Sequence, residues 1–280
     1  MTCAAYPDLV EDDRILQRAL EERGVRTRAA VWNDPAVRWS EARMAVVRST
    51  WDYHLHPREF EDWVRETGSR TALVNPPELI LWNIHKSYLL ELADRGLATV
   101  PTILVEKGSP AALSGILESA GWPEVVVKPA VSASAYRTRR IRAAHGGAEG
   151  ESHLREILES SDALVQPYVE AVESEGERSL VFVDGVLTHA FRRAPFNAGW
   201  SAGLSSEVGH EPSAEESAFG RRALSLLPVS PLYARVDVIP APNGPRLMEL
   251  ELVEPSLEFR LFPPAAGRFA DAVLRRMGDG

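Results

Sequence analysis

The sequence has little cysteine and no long apolar run. One cysteine, Cys3, stands among 280 residues, so a disulfide framework within the chain is excluded and a reducing compartment fits. No run approaches the roughly 20 apolar residues that span a bilayer, and the first residues lack the basic and apolar regions of a signal peptide. We therefore expect a cytoplasmic protein with no membrane partner.

The sequence also lacks an excess of basic charge. Forty acidic residues outnumber 31 basic ones, for a net charge of −9, which argues against a nucleic-acid partner. Neither a GxxxxGK(S/T) loop nor a GxGxxG turn after the first strand is present, so a P-loop or dinucleotide fingerprint is not supported. The composition, 45% hydrophobic and 25% charged, is that of a globular protein with one large or two to three small domains.

Predicted strands and helices alternate along the first hundred residues. Strands are predicted over 2–6, 27–32, 44–49 and 71–75, and helices over 8–23 and 57–67. This alternation indicates βαβ units and a mostly parallel sheet. Further helices are predicted over 82–95, 110–120, 153–160, 212–227 and 265–276, and the Gly/Ser-rich stretch 197–211 is predicted to be a mobile loop.

Polar and aromatic side chains follow the predicted strand 44–49. Because ligands of open parallel sheets bind at the carboxyl ends of strands, these residues are candidates for a substrate cleft. An ordinary strand-to-helix loop with a packed Trp explains them equally well, and both readings stay open. The candidates are Ser49, Thr50, Trp51, Asp52 and Tyr53.

Two runs that alternate polar and apolar residues flank Asn243 and Gly244, which predicts a β-hairpin. Since side chains two apart share a face of a strand, Asp237 shares a face with Arg235, and Glu249 with Glu251. Met248, Leu250 and Leu252 are expected on the opposite face. Three carboxylates on one face either are solvated or hold a hard divalent cation such as Mg²⁺, which binds one or two carboxylates together with substrate phosphates.

Two further stretches are candidates for nucleotide binding. Lys128 ends a β-branched strand and precedes a loop with Ser132 and Ser134. Small residues let backbone N–H groups approach phosphate oxygens, and a lysine adds a point charge, although many lysines simply end strands. The stretch 166–169 reads as a hinge, followed by Glu173 and Glu177; acids of this kind bind ribose hydroxyls or form an acidic surface loop.

The order of these parts resembles the ATP-grasp ligases over essentially the whole chain. The motifs are MAVVRSTWDYH, WNIHKSYLLEL, VVVKPAVSASAYRT, GERSLVFVDG and YARVDV with LMELELVEPSL. They are most similar to the branch that includes the O-ureido-serine cyclo-ligase of cycloserine biosynthesis. The resemblance implies an α/β (α+β) ATP-grasp fold, with an N-terminal parallel-sheet domain over 1–100 and two ATP-clasping lobes over 101–168 and 169–280.

The resemblance also implies roles for individual residues. Lys86 and Lys128, with the loop of Ser132 and Ser134, would contact phosphates, the main chain of Gln166, Tyr168 and Val169 would hold adenine, and Glu177, or else Glu173, would bind ribose. Asp237, Glu249 and Glu251 would hold two Mg²⁺ ions, which Mn²⁺ can replace, with Glu249 bridging them. Arg235 would neutralise the intermediate, and Arg192 or Arg193, between which the sequence does not decide, would reach the γ-phosphate or substrate.

The activity that the resemblance implies is ATP-dependent ligation of a carboxylate to an amine. An acylphosphate would form on a small amino-acid-like or natural-product substrate, and ADP and phosphate would leave. Ring closure within one molecule, a phosphotransferase, a non-catalytic nucleotide-binding module and a homodimer all stay open. Two departures stand out: a Ser-Ala-Ser-Ala loop replaces the usual glycines, which implies a stiffer lid, and Glu251 stands where Asn is frequent.

Overall fold

The computed structural model describes residues 1–142, 147–193 and 207–278. Within these ranges the strands are β1 Met44–Val46, β2 Ala72–Val74, β3 Ile103–Val105, β4 Glu124–Pro129, β5 Arg139–Arg142, β6 Ala163–Pro167, β7 Arg178–Val183, β8 Val186–Arg193, β9 Glu207–His210, β10 Tyr233–Ile239 and β11 Arg246–Glu251. The helices are α1 Glu11–Glu21, α2 Pro57–Gly68, α3 Pro77–Asn83, α4 Tyr88–Asp94, α5 Leu113–Ala120, α6 Gly147–Leu158, α7 Ala171–Ser174, α8 Ala214–Ser225 and α9 Pro264–Gly278. No helix in the described ranges is both long and apolar enough to cross a bilayer.

The N-terminal part is an α/β layer around a small parallel sheet. β1 and β2 pair in parallel, and Thr2 adds parallel bridges to Val31 and Ser49, which confirms the predicted parallel arrangement. The strands predicted over 2–6 and 27–32 are wrong, since each segment contributes only one bridging residue, Thr2 and Val31. In both places the chain turns at once: the Tyr6 N–H donates to Cys3 O, and the Asp34 N–H donates to Val31 O.

Two antiparallel sheets follow. The first has the order β3-β6-β4-β5, and the second has the order β11-β10-β7-β8-β9. α5 and α6 cover the first of these sheets, with a core that includes Val125, Val127 and Leu154. Of the stretch 197–211, residues 197–206 lie outside the described residues. Residues 207–210 form the edge strand β9, so the predicted loop is wrong there.

The helix predicted over 82–95 is interrupted, and that prediction is wrong. α3 ends at Asn83 and α4 begins at Tyr88, and Lys86 lies in the turn between them rather than on a helix. The turn forms because its backbone bonds elsewhere: the Lys86 N–H donates to Ala130 O over 2.9 Å. The helix predicted over 153–160 begins earlier than expected, at Gly147.

The predicted charged hairpin is present as β10 and β11. Asp237 lies opposite Glu249 and Arg235 lies opposite Glu251, so the four charged side chains share one face. A β-bulge after Asp237 brings Val238 opposite Leu247. Because of the bulge, the apolar face of β11 differs from the predicted one. Leu247 is fully buried together with Leu250 and Leu252, whereas Met248 is only half-buried.

Candidate active site

Arg235 is the centre of the charged face of the hairpin. Its guanidinium binds Asp237 in a bidentate manner, with Nε 2.9 Å from Oδ1 and Nη2 2.8 Å from Oδ2. Nη2 also donates to Glu251 Oε1, and Nη1 donates to the backbone oxygen of Ser256 over 3.2 Å. Arg235 is 3% exposed and Asp237 is 1% exposed. Such bidentate, charge-assisted bonds fix both position and orientation.

Two lysines from distant parts of the chain converge on Glu249. Lys128, on β4, places Nζ 2.7 Å from Glu249 Oε1, and Lys86, in the turn after α3, places Nζ 3.6 Å from Oε2. Lys86 Nζ also donates to the backbone oxygen of Ser132 over 3.1 Å. Both lysines are buried. Side chains from the two antiparallel sheets therefore meet at one carboxylate.

The carboxyl groups of the hairpin have different acidities. Burial alone would raise the pKa of Glu249, but the ammonium groups of Lys128 and Lys86 hold it well below its usual range. Burial raises the pKa of Glu251, and the charges of Asp237 and Glu249 add to the rise, against the effect of Arg235. The pKa of Arg235 is far above its ordinary value because Asp237 and Glu251 outweigh its burial. Glu249 is therefore a firmly ionised anion between two cations.

A further ion pair, Glu177 with Arg193, borders the same carboxylates. Arg193 Nη1 donates to Glu177 Oε1 over 3.0 Å, and burial together with the charge of Asp237 raises the pKa of Glu177 to about 7. Arg192 is the next residue on the strand and points the other way, with Nη1 3.2 Å from the backbone oxygen of Glu175. Of the two arginines that the sequence left open, the geometry places Arg193 beside the acidic face.

Glu173, the second ribose candidate, lies in a separate surface network. Its Oε1 accepts from the Tyr168 hydroxyl over 2.7 Å and from Arg140, whose guanidinium lies 3.5 Å above the Tyr168 ring. The Tyr168 N–H donates to Glu124 O over 2.8 Å. The side chain of Gln166 is buried and donates to Thr102 Oγ1 over 2.9 Å. The hinge side chains of Gln166 and Tyr168 thus bond to residues outside the acidic face.

The small-residue loop after β4 is a compact turn. Ser132 Oγ donates to Pro129 O over 3.2 Å, and Ser134 and Ala135 have φ angles of 50° and 56°. Such left-handed backbone is costly for residues other than glycine. At Ser134 and Ala135 the loop therefore adopts a backbone conformation that glycine reaches without strain, although neither residue is glycine.

The candidate substrate residues divide between packing and the site. Ser49 Oγ donates to Thr2 Oγ1 over 3.0 Å, and Asp52 Oδ1 accepts from buried Trp32 Nε1 over 2.7 Å, so these two side chains hold the N-terminal layer together. Tyr53 is 3% exposed, and its ring lies 4.9 Å from that of Phe60. These three placements favour the structural reading of the loop.

Trp51 and Thr50 are placed differently. Trp51 Nε1 donates to the backbone oxygen of Glu254 over 3.0 Å, so the loop contacts the segment that follows β11. Thr50 is fully buried, and its hydroxyl has no hydrogen-bond partner within the described ranges. Trp51 is therefore the residue of this loop that links it to the end of the charged hairpin.

Comparison with known proteins shows what this chain is similar to. Residues 1–75 match the model of the N-terminal domain of the D-cycloserine synthetase DcsG. The cycloserine biosynthesis protein DcsG of Streptomyces lavendulae is 29% identical over 276 residues, 94% of this chain and 92% of that protein. The crystal structure of a D-cycloserine synthetase DcsG superposes with a TM-score of 0.92 at 28% identity, covering 99% of this chain and 98% of that one.

The chain has the ATP-grasp fold and is similar to the ATP-grasp ligases.

More distant structures share the fold of this ATP-grasp chain. A D-alanine–D-alanine ligase from Bacillus anthracis, solved in complex with ATP, superposes with a TM-score of 0.69 at 15% identity, over 97% of this chain and 94% of that one. A RimK domain ATP-grasp protein from Sphaerobacter thermophilus gives 0.70 at 16% identity, over 94% and 96%. At these identities the likeness is one of fold.

The acidic face of this ATP-grasp chain has the donors that a hard cation needs, but protein cations engage them. In the described part of the chain, no group of three or more His, Cys, Asp or Glu side chains is arranged to hold a metal ion. Arg235 is bonded to Asp237 and Glu251, and the two lysines are bonded to Glu249. Carboxylate oxygens on adjacent strands are nevertheless the ligands that Mg²⁺ prefers. The donor set therefore fits Mg²⁺ once the cations are drawn to another anion.

Sequence reasoning missed Glu254 and Asn83. Burial and the neighbouring charge of Glu251 raise the pKa of Glu254 to about 8, and the charge of Lys86 opposes that rise. Asn83 binds the backbone of β11. Glu254 was missed because it lies three residues after Glu251, which does not fit the alternation of a strand. Asn83 was missed because a buried amide carries no charge and belongs to no sequence pattern. The motifs VEPSL and WNIHK in which these residues stand were the available signals.

Proposed function

We propose that the chain is an ATP-dependent carboxylate–amine ligase that acts through an acylphosphate. The observation that carries this proposal is the convergence of Lys86 and Lys128 on Glu249, within a face that also holds Arg235 and Asp237. With Arg193 beside this face, the site has four cationic groups among its carboxylates. Such a set of charges suits an anionic triphosphate with its metal ion. The ATP-grasp fold and the likeness to DcsG support the same class of reaction.

Asp237, Glu249 and Glu251 would hold the Mg²⁺ ions that accompany ATP, and we propose that Mn²⁺ can replace them. Bound there, the metal would neutralise charge on the β- and γ-phosphates during transfer. The extra negative charge of Glu251, compared with a neutral amide, favours two divalent ions. The ligands stand on paired strands of one hairpin, which keeps their spacing constant.

The basic residues would exchange partners when the nucleotide binds. Lys86 and Lys128 would move from Glu249 to the phosphates, which offer more negative charge, and Glu249 would become free for the metal. Glu177 would accept the ribose hydroxyls, and the hinge main chain at Gln166, Tyr168 and Val169 would hold the base. Preorganised cations of this kind lower the barrier mainly by positioning and electrostatic stabilisation.

The chemistry would proceed in two balanced steps. A carboxylate oxygen of the substrate attacks the γ-phosphorus, the bond to the β–γ bridging oxygen breaks, and ADP leaves. An amine then attacks the acyl carbon, the amide forms, and phosphate leaves as the nitrogen loses a proton. Arg235 and Arg193 would neutralise the charge that develops on the transferred group. Water must be excluded, since it would hydrolyse the acylphosphate.

The substrate class that we propose is a small amino-acid-like molecule. The similar protein from Streptomyces lavendulae takes part in cycloserine biosynthesis, as its name states. We extend from it only the class: an amino acid whose carboxylate is activated and then attacked by an amine, either of the same molecule or of a second one. Trp51 would contact this substrate from the loop after β1.

The test is turnover with a panel of amino acids and MgATP, followed by ADP release and mass spectrometry. We expect ADP release that depends on the amino acid, and a product that is lighter than its substrates by one water. Added hydroxylamine should divert the acylphosphate to a hydroxamate. A phosphorylated acid that persists when amines are supplied would instead show a phosphotransferase.

A further inference from the structure

β11 is an edge strand, yet its outer backbone groups are bonded. Edge strands present a row of unpaired N–H and C=O groups. Here the Asn83 side chain takes the place of a neighbouring strand: Nδ2 donates to Leu250 O over 2.7 Å, and the Leu252 N–H donates to Oδ1 over 2.7 Å. The Leu250 N–H donates to the Tyr88 hydroxyl over 3.1 Å. Two side chains thus hold the strand at the point where Glu249 and Glu251 stand.

The segment that carries these side chains also carries Lys86. We call residues 83–88 the connector. Its Lys86 N–H donates to Ala130 O over 2.9 Å, directly after β4, and Lys86 Nζ donates to Ser132 O. The connector is therefore bonded to the edge of one antiparallel sheet and to the end of the strand that bears Lys128 in the other.

We propose that Asn83 is a positioning residue that sets Glu249 and Glu251 against the lysines. Residues 250 and 252 alternate with these glutamates along the strand, so a shift of their backbone moves both carboxylates. The planar amide of Asn83 donates to one of these residues and accepts from the other, so it restrains the backbone of both at once. The proposal rests on the proposed function, because it concerns how the Mg²⁺–nucleotide site is assembled.

A second buried asparagine provides a matched control. Asn75 is fully buried, and its Nδ2 donates to Tyr233 O and Leu252 O, each over 2.8 Å, while the Leu232 N–H donates to its Oδ1 over 2.7 Å. It holds the same sheet by the same kind of bonds. It lies outside the connector, however: its one bond to this part of the hairpin is at Leu252 O, beyond the last residue of β11, and it does not bond Leu250, which lies between Glu249 and Glu251.

The experiment compares Asn83→Asp with Asn75→Asp. Each change keeps the size and the accepting oxygen of the side chain and removes its N–H donors. Asn83→Asp leaves one buried carbonyl without its donor and Asn75→Asp leaves two, and each change adds a buried carboxyl group, so both should lower the melting temperature. Calorimetry with Mg²⁺ and the non-hydrolysable analogue AMPPNP should show binding weakened about tenfold by Asn83→Asp, and changed less than about twofold by Asn75→Asp.

Tyr88→Phe is a milder and charge-free variant of the same clamp. It removes one acceptor, so we expect binding of Mg²⁺–AMPPNP to weaken about threefold, which keeps the proposal testable if Asn83→Asp does not fold. Equal binding by wild type and both connector variants, or equal loss in Asn75→Asp, would overturn the positioning role alone. Absence of binding in the wild type would overturn the proposed function as well.

Discussion

Glu249 is the residue at which the two antiparallel sheets meet electrostatically. Its carboxylate binds Lys128 at 2.7 Å and faces Lys86 at 3.6 Å, and all three side chains are largely withdrawn from water. Burying these charges costs free energy that their pairing only partly offsets, so we expect the arrangement to contribute little to stability. Replacing one of these groups should therefore affect function more than folding.

Glu249→Gln tests that expectation at the residue scale. The amide keeps the shape of the side chain but cannot hold a divalent ion or balance the lysines, so we expect kcat to fall by about 100-fold or more. Circular dichroism should show a retained fold. Glu173→Gln, an exposed carboxyl of the hinge network, is the control and should stay within a few-fold of wild type. Ordinary activity at unchanged Mg²⁺ dependence in Glu249→Gln would remove the metal assignment.

Arg193 and Arg192 form a natural matched pair. Arg193 is bonded to Glu177 beside the acidic face, whereas Arg192 contacts the backbone of Glu175. We expect Arg193→Gln to lower kcat/KM for ATP by about tenfold or more, as the loss of one charge-assisted contact does. Arg192→Gln should change it less than about twofold. Steady-state ADP release decides between them, and a larger loss in Arg192→Gln would reverse the assignment.

At the scale of elements, the sequence predicts strands and helices that have a regular hydrophobic pattern. It does not predict irregularities that depend on contacts with distant segments. The alternation around Asn243 and Gly244 predicts the β10–β11 hairpin and its charged face, because side chains two apart share a side. The bulge after Asp237 could not be predicted, since it depends on pairing. The break between α3 and α4 was missed because the bonds from the connector to β11 and to Ala130 lie far away in sequence.

The cap of α8 gives a prediction about pH. Burial would raise the pKa of Glu216, but the Ser213 N–H, Arg178 and His210 bring it from 4.5 down to about 2. The folded pKa lies below the unfolded one, so the stabilisation is fully present above pH 4.5 and is lost as pH falls toward about 2. It amounts to about 3 kcal/mol.

Glu216→Gln should therefore lower the free energy of unfolding at pH 7 by about 2 kcal/mol. It should also flatten the loss of stability between pH 4.5 and 2, because the titrating group is gone. Urea unfolding at several pH values measures both. Glu215→Gln, the exposed neighbour in the first turn of the helix, is the control. An unchanged acid limb in Glu216→Gln would show that other carboxyls dominate it.

At the scale of the whole molecule, the three sheets are joined by shared apolar cores and by hydrogen bonds between them. The connector and the parallel bridge of Thr99 to Leu247 attach the N-terminal part to the β10–β11 hairpin. The parallel layer and the order of lobes could be inferred from the alternation of elements and the motifs. The division at residues 100 and 168 stays a prediction, and the stretch 197–211 lies largely outside the described residues.

A nucleotide bound between two sheets should stabilise the whole fold. At a concentration of Mg²⁺–AMPPNP 100 times its dissociation constant, the gain is about 2.7 kcal/mol, which corresponds to a rise in Tm of about 5 °C for a chain of this size. Thermal unfolding with and without the ligand measures it. Glu249→Gln should show a smaller rise, and an unchanged Tm in the wild type would argue against binding at this site.

The most direct measurement is a crystal structure with Mg²⁺ and AMPPNP bound. We predict the γ-phosphate between Lys86 and Lys128, a divalent ion on Asp237, Glu249 and Glu251, and the lysines released from Glu249. A nucleotide bound elsewhere, with Lys128 still on Glu249 and Arg235 on Asp237 and no metal between them, would contradict the account.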